Sequence, residues 1–283
     1  NQLQADDDLR FALYAPDDPD DAADLRFKVI SLKPMALTTV MPHLSTLGVR
    51  VIDERPFEWD LRGRPVFVYD FGFTLAAGET VADWTPQARQ RFCEAFDATY
   101  HGRAHAGTLN ALVLTAGLTW REVAWLRGVS RYLQQAGIPF SMPYVAVAVN
   151  AHPAIAALLV AAFRAKFDPD TGLDAQARRA ASEKELERVE EALDTVSSLD
   201  QDRILRMFMA VLRAMVRTNA FDPDAGALAF KLLPAELTLL PEPRPAHEIF
   251  VYSPRVQGVH LRFGAVARGG LRWSDRKEDF RTE

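Results

Sequence analysis

Near its C-terminal end the chain carries Arg268-Gly269-Gly270-Leu271-Arg272, two arginines flanking a glycine pair. Glycines have no Cβ, so a turn built on them lets backbone N–H groups approach a ligand closely. Each arginine can clamp a carboxylate through paired N–H donors, and one such charged hydrogen bond contributes about 1.5–3 kcal/mol. Ser274 or Asp275 can cap a helix running from Arg276 to Glu283, which would turn a positive helix end toward the same turn. The chemistry this spacing suits is the holding of an anion, a carboxylate foremost. The same residues also fit an ordinary strand-to-helix loop with solvated arginines. His260, alternating with Val259 and Leu261, shares a face with Arg262 and either points toward the turn or is a structural histidine.

Other chemistry is thinly represented. No Gly-x-Gly-x-x-Gly occurs, so nothing marks a nucleotide cradle, and neither Gly-x-Ser-x-Gly nor a Cys/His spacing suited to zinc is present. The lysines are Lys28, Lys33, Lys166, Lys184, Lys231 and Lys277, and of these Lys277 alone lies near the turn, inside a charged first helical turn. Cys93 is the one cysteine; it sits beside Phe92 and Phe96 on an apolar helix face, where an inert thiol is expected. Asp17-Asp18-Pro19-Asp20-Asp21 reads as a solvated loop, with a calcium site as the alternative.

The elements that must position the turn are read from periodicity. A first strand runs from Leu9 to Tyr14, and Leu25 to Leu75 reads as β-α-β-β. In that stretch Thr39 is the expected N-cap, with Pro42 in the first turn and Gly48 ending the helix; strands Val49 to Trp59 and Val66 to Leu75 follow, joined at Asp60 to Pro65. Thr85 then caps a helix with Pro86 in its first turn and Phe92, Phe96 and Tyr100 on one face. This order builds a ferredoxin-like sheet of the ACT kind, which commonly binds amino acids or joins subunits.

From Leu109 to Asn219 the pattern is helical almost throughout. Thr119-Trp120-Arg121-Glu122 is a capping box ahead of Val123, Leu126, Val129, Tyr132 and Leu133, and Gly137 stops that helix. Pro153 opens another, with Ile155, Leu158, Leu159 and Phe163 facing inward until Asp168-Pro169. Leu186, Val189, Leu193 and Val196 form a narrow seam on a charged helix, a candidate subunit contact, and Asp200 starts an apolar helix that carries Ile204, Leu205, Phe208, Met209, Leu212 and Met215. After a stiff connector at Pro241, Pro243 and Pro245, strands through Ile249 and Val251, then Val259, Leu261 and Phe263, begin a new sheet.

Bulk properties narrow the function further. With 48% hydrophobic and 25% charged residues the chain is ordinary globular protein, and a net charge of −5 argues against nucleic acid as a partner. No apolar run approaches the roughly 18 residues of a membrane span, so no membrane partner and a cytoplasmic setting are expected. Residue 1 is Asn and the chain stops inside a helix start, which reads as a piece of a larger protein.

Taken residue by residue, His247-Glu-Ile-Phe-Val-Tyr-Ser-Pro-Arg-Val-Gln-Gly-Val-His260 and Ala267-Arg-Gly-Gly-Leu-Arg-Trp-Ser-Asp-Arg276, continuing to Glu283, resemble the opening of the catalytic domain in the large NAD-dependent glutamate dehydrogenases. Leu47-Gly-Val-Arg-Val-Ile-Asp-Glu-Arg-Pro-Phe-Glu58, Ala116 to Val123, Ser198 to Leu205 and Arg217 to Phe221 resemble that family's regulatory region in the same order. The resemblance implies an α+β chain: an ACT-like regulatory or assembly domain over 1–104, a helical linking region over 105–222, and the start of an α/β catalytic domain over 223–283. It implies oxidative deamination of L-glutamate to 2-oxoglutarate and ammonium with NAD as cofactor, in a homo-oligomer whose ACT-like and helical parts either build the assembly or sense an amino-acid effector. The family holds substrate with a Lys-Gly-Gly turn, so Arg268, Gly269, Gly270 and Arg272 become substrate-binding candidates, with arginine in place of the lysine. The catalytic lysines and aspartate would follow Glu283, leaving no catalytic residue in this chain. The alternative is a non-catalytic ACT-like module for amino-acid sensing or oligomerisation.

Overall fold

A computed structural model describes residues 9–18, 20–75 and 83–264. They form two compact units that divide between Trp120 and Arg121.

In the first unit, strands β1 (Arg10–Tyr14), β2 (Leu25–Ser31), β3 (Arg50–Asp60) and β4 (Pro65–Thr74) make one antiparallel sheet in the order β1-β2-β4-β3. Helices α1 (Leu37–Thr46) and α2 (Pro86–Tyr100) accompany it, and a short α3 (Leu112–Thr115) follows them. This is the expected ferredoxin-like sheet, with β1 supplying its fourth strand. Period-two alternation explains the layering: Leu25, Phe27, Phe71 and Phe73 are fully buried on one sheet face. On that face the Phe27 ring meets Phe92 at 5.2 Å and Phe96 at 5.1 Å, both edge-on. Cys93 lies on the same helix, half-buried, and burial pushes its thiol up to about 12.

Two local expectations need correction. Helix α1 begins two residues before Thr39: Ala36 is the N-cap, and its carbonyl accepts from Thr39 N and Val40 N. Pro42 therefore lies inside the helix, where it forgoes the bond to the Thr38 carbonyl. The acidic loop, in turn, is not wholly solvated. The Asp21 side chain is 1% exposed and lies 3.1 Å from the Arg26 guanidinium. A buried charge needs a partner, and Arg26 supplies one to three carboxylates. Its Nη2 donates to Asp53 Oδ1 at 2.7 Å and to the Asp70 carbonyl at 3.0 Å, and its Nε lies 3.2 Å from Asp70 Oδ1, in ionic contact but off hydrogen-bond geometry. A bulge makes the cluster possible. Val51 pairs with Phe73, but Asp53 rather than Ile52 stands opposite Gly72, which transfers the acid to the Arg26 face. A Cβ at Gly72 would sit 2.7 Å from Arg26 Nη1, so glycine makes the room.

The second unit holds α4 (Trp120–Gln135), α5 (Met142–Asn150), α6 (Pro153–Phe167), α7 (Ala175–Leu193) and α8 (Leu199–Ala214). Strands β5 (Met215–Thr218), β6 (Leu228–Leu232), β7 (His247–Tyr252) and β8 (Gln257–Arg262) then form an antiparallel meander. No single described helix is long and apolar enough to cross a membrane.

Here too the structure departs from the sequence reading. The helical region ends at Ala214, so Met215 opens a strand, and β6 is an element the periodicity did not reveal. Helix α8 can stop because tertiary partners take its last carbonyls: Lys166 Nζ donates to Leu212 O and Arg213 O at 2.8 and 2.9 Å, and Leu233 N donates to Ala214 O. On β7 the inward residues are Glu248, Phe250 and Tyr252, whereas Ile249 and Val251 take the less buried face. The seam of Leu186, Val189 and Leu193 is buried within the unit, where α7 packs on α6, and so is not an external subunit surface.

Candidate functional site

The predicted substrate turn, Arg268, Gly269, Gly270 and Arg272, lies outside the described residues. What the structure does give is the platform that leads into it. Strand β8 pairs with β7 from Tyr252↔Gln257 to His247↔Arg262. At its end Arg262 Nε donates to the Gly264 carbonyl at 3.1 Å. His260 is exposed and stands opposite Ile249, on the face it shares with Arg262.

That platform is fixed to the helices by a buried polar contact and a close approach. Tyr132 Oη on α4 donates to Glu248 Oε2 on β7 at 2.7 Å, with both residues fully buried. Beside it the Tyr132 ring meets Phe250 edge-on at 5.7 Å. One turn earlier on α4, a Cβ at Gly128 would lie 2.9 Å from both Leu228 and Phe230, so glycine lets the helix settle onto β6. Glu122, at the start of α4, accepts from Arg164 Nε at 2.5 Å and draws α6 to the same bundle.

A cleft of about 630 Å³ opens in this unit between the end of α6, the start of α7, the end of α8 and β5. Lys166, Arg178, Arg179, Arg213 and Arg217 line it, together with Glu183 and Glu236. Arg213 is committed to Glu183 at 2.6 Å and Glu190 at 3.1 Å. The Lys166 amine is pushed down to about 8, first by burial. Periodicity could not assemble this cleft from the sequence, because its cations come from four separate elements; Arg178-Arg179 is the one local signal.

The first unit holds a small cavity among its described residues. A cavity bounded by Leu47, Gly48, Thr74, Trp84 and Leu114 measures about 30 Å³, room for a water rather than an amino acid. Among the described residues no group of His, Cys, Asp and Glu could hold a metal ion.

Comparison with known proteins covers most of the chain. Three family models match successive stretches: the glutamate dehydrogenase ACT3 domain over residues 8–85, glutamate dehydrogenase helical motif 3 over 105–169, and the bacterial NAD-glutamate dehydrogenase catalytic domain over 188–283. The last begins inside α7 and takes in the whole second sheet. Among curated relatives, an NAD-specific glutamate dehydrogenase of Mycobacterium tuberculosis is 46% identical over 264 residues, covering 88% of this chain and 16% of the relative. Those of Pseudomonas aeruginosa and Halomonas elongata are 44% and 43% identical over 256 residues, again 88% of this chain and 16% and 15% of theirs. The chain thus spans about 16% of the length of the relatives it matches.

Proposed function

Because this chain belongs to the NAD-specific glutamate dehydrogenase family, we propose that it is the linking portion of such an enzyme, joining a regulatory ACT-like unit to the opening of the catalytic domain. The observation that carries this reading is the succession of three glutamate dehydrogenase domain models in one order along the chain. The complete protein would oxidise L-glutamate to 2-oxoglutarate and ammonium and pass the hydride to NAD.

Within that reaction the part assigned to this chain is binding. Arg268 and Arg272 would pair with substrate carboxylate while Gly269 and Gly270 let backbone N–H groups approach it. The residues present do not fit NAD itself. The chain has no Gly-x-Gly-x-x-Gly, and both described sheets are antiparallel, whereas a dinucleotide cradle is built on parallel β-α-β units. Alone, the chain would therefore be inactive.

The N-terminal unit is assigned to assembly of a cytoplasmic homo-oligomer, with an amino-acid effector as its further role. Support for assembly comes from the β3–β4 hairpin, where Phe57, Trp59 and Leu61 are 45%, 59% and 65% exposed. The reading is tested by incubating the complete purified protein with L-glutamate and NAD. Stoichiometric NADH and 2-oxoglutarate are expected, and failure to form either with glutamate would overturn it.

A further inference from the structure

Four elements meet around the cleft in the second unit, and their charges do not balance. Five cations line it against two carboxylates, and one of the five, Arg213, is already paired with Glu183 and Glu190. Lys166 spends two of its three donors on the carbonyls of Leu212 and Arg213, which leaves the third N–H. Arg178 Nε is buried and has no hydrogen-bond partner among the described residues. Arg217 and Arg179 are exposed at the rim. An arginine donor held out of water without an acceptor is costly, and an oxyanion is the group that relieves it.

We infer that this cleft binds a small organic anion carrying two or more phosphate or carboxylate groups. Size fits, since about 630 Å³ falls within the range of small-molecule pockets. Chemistry fits as well. Arg178, Arg179 and Arg217 can present planar forks to oxyanions, Ser182 and Thr218 add hydroxyl groups, and Phe167 and Leu186 offer an apolar wall to the body of the ligand. Glu236 is the carboxylate left after Arg213 takes Glu183, and it repels any anion that enters. A multivalent ligand offsets that repulsion by engaging several cations at once, which a singly charged one cannot do. Because α8 ends at this cleft with its carbonyls held by Lys166, an occupant would bear on the junction between the bundle and the second sheet.

The test is calorimetric titration of pyrophosphate and, separately, malonate into the complete protein at low ionic strength. The wild type, an R178Q/R179Q double variant, R217Q, and R206Q as an exposed control outside the cleft are compared. The wild type is expected to bind at least one probe saturably. Affinity should fall at least tenfold in R178Q/R179Q and measurably in R217Q, while R206Q leaves it unchanged. Tighter pyrophosphate identifies a phosphate ligand and tighter malonate a carboxylate. Absence of saturable binding to the wild type, or equal affinity in the wild type and both cleft variants, would overturn the inference. The readout is binding alone, so it stands or falls apart from the dehydrogenase activity.

Discussion

The hydroxyl of Tyr132 donates a 2.7 Å hydrogen bond to the carboxylate of Glu248, a residue 116 positions later in the chain. Both are fully buried, so the bond ties helix α4 to strand β7 away from water. Removing the donor leaves a buried carboxylate short of a hydrogen bond. Tyr132→Phe is expected to cost about 1.5–3 kcal/mol, the scale of a hydrogen bond to a charged group, measured by urea unfolding of the chain. An unchanged midpoint would mean that the contact does not support the platform.

Arg26 organises the first unit in a comparable way, through Asp21, Asp53 and Asp70. Arg26→Met leaves three acids without their common cation, and a loss of about 3 kcal/mol at neutral pH is expected, at the low end for buried pairs because Asp53 keeps contact with water.

The same cluster predicts an acid dependence. The Asp21 carboxyl is held below the ordinary range first by the Ala23 backbone N–H and also by Arg26 and Arg55, and Asp53 first by its bond from Arg26. Their contribution is fully present above the unfolded carboxylate value of about 3.9 and is lost as pH falls through the lower folded values. Chemical denaturation from pH 6 down to about pH 2 should therefore show a steeper loss of stability in the wild type than in Arg26→Met. Parallel curves would contradict the ion-pair account.

Lys166 has a window at the other end of the pH scale. Its amine is pushed down to about 8, first by burial, with Arg179 and Arg213 adding to the shift and Glu236 and Glu183 opposing it. Between that value and the ordinary lysine value of about 10.4 the unfolded chain holds a proton that the folded one has shed. Stability therefore rises with pH across that window from this group, and Lys166→Met should remove the rise. Unfolding free energies at several pH values from about 7 to 10 in the two proteins provide the check; identical slopes would exclude the linkage.

Cys93, whose thiol burial pushes up to about 12, should resist alkylation in the native chain at neutral pH and react fully once it is unfolded. Rapid labelling of the native state would show the helix face to be open.

How much of this is legible in the sequence depends on the range of the forces involved. The β-α-β-β order, the Thr85 cap and the Gly48 and Gly137 stops are local signals, and each appears where the residues place it. The end of α8 is hidden because its carbonyls are satisfied by Lys166, some 46 residues away, so helical periodicity runs on through Met215. Likewise Ile249 and Val251 mark β7 as a strand, while Glu248 takes an inward place where Tyr132, 116 residues away in the chain, donates to it. The bulge that brings Asp53 to Arg26 has no local signature, since it adds one residue to an otherwise regular alternation. The Arg268 turn is legible as chemistry and as family wording, and it lies outside the described residues.

The central claim is that this chain supplies the carboxylate-holding turn of a glutamate dehydrogenase, and steady-state kinetics of Arg268→Ala in the complete enzyme test it most directly. Losing a charged hydrogen bond of about 1.5–3 kcal/mol should lower kcat/KM for glutamate about tenfold to a hundredfold, with the KM for NAD unchanged and partial recovery in Arg268→Lys. An Arg268→Ala enzyme with the wild-type KM and turnover for glutamate would contradict it.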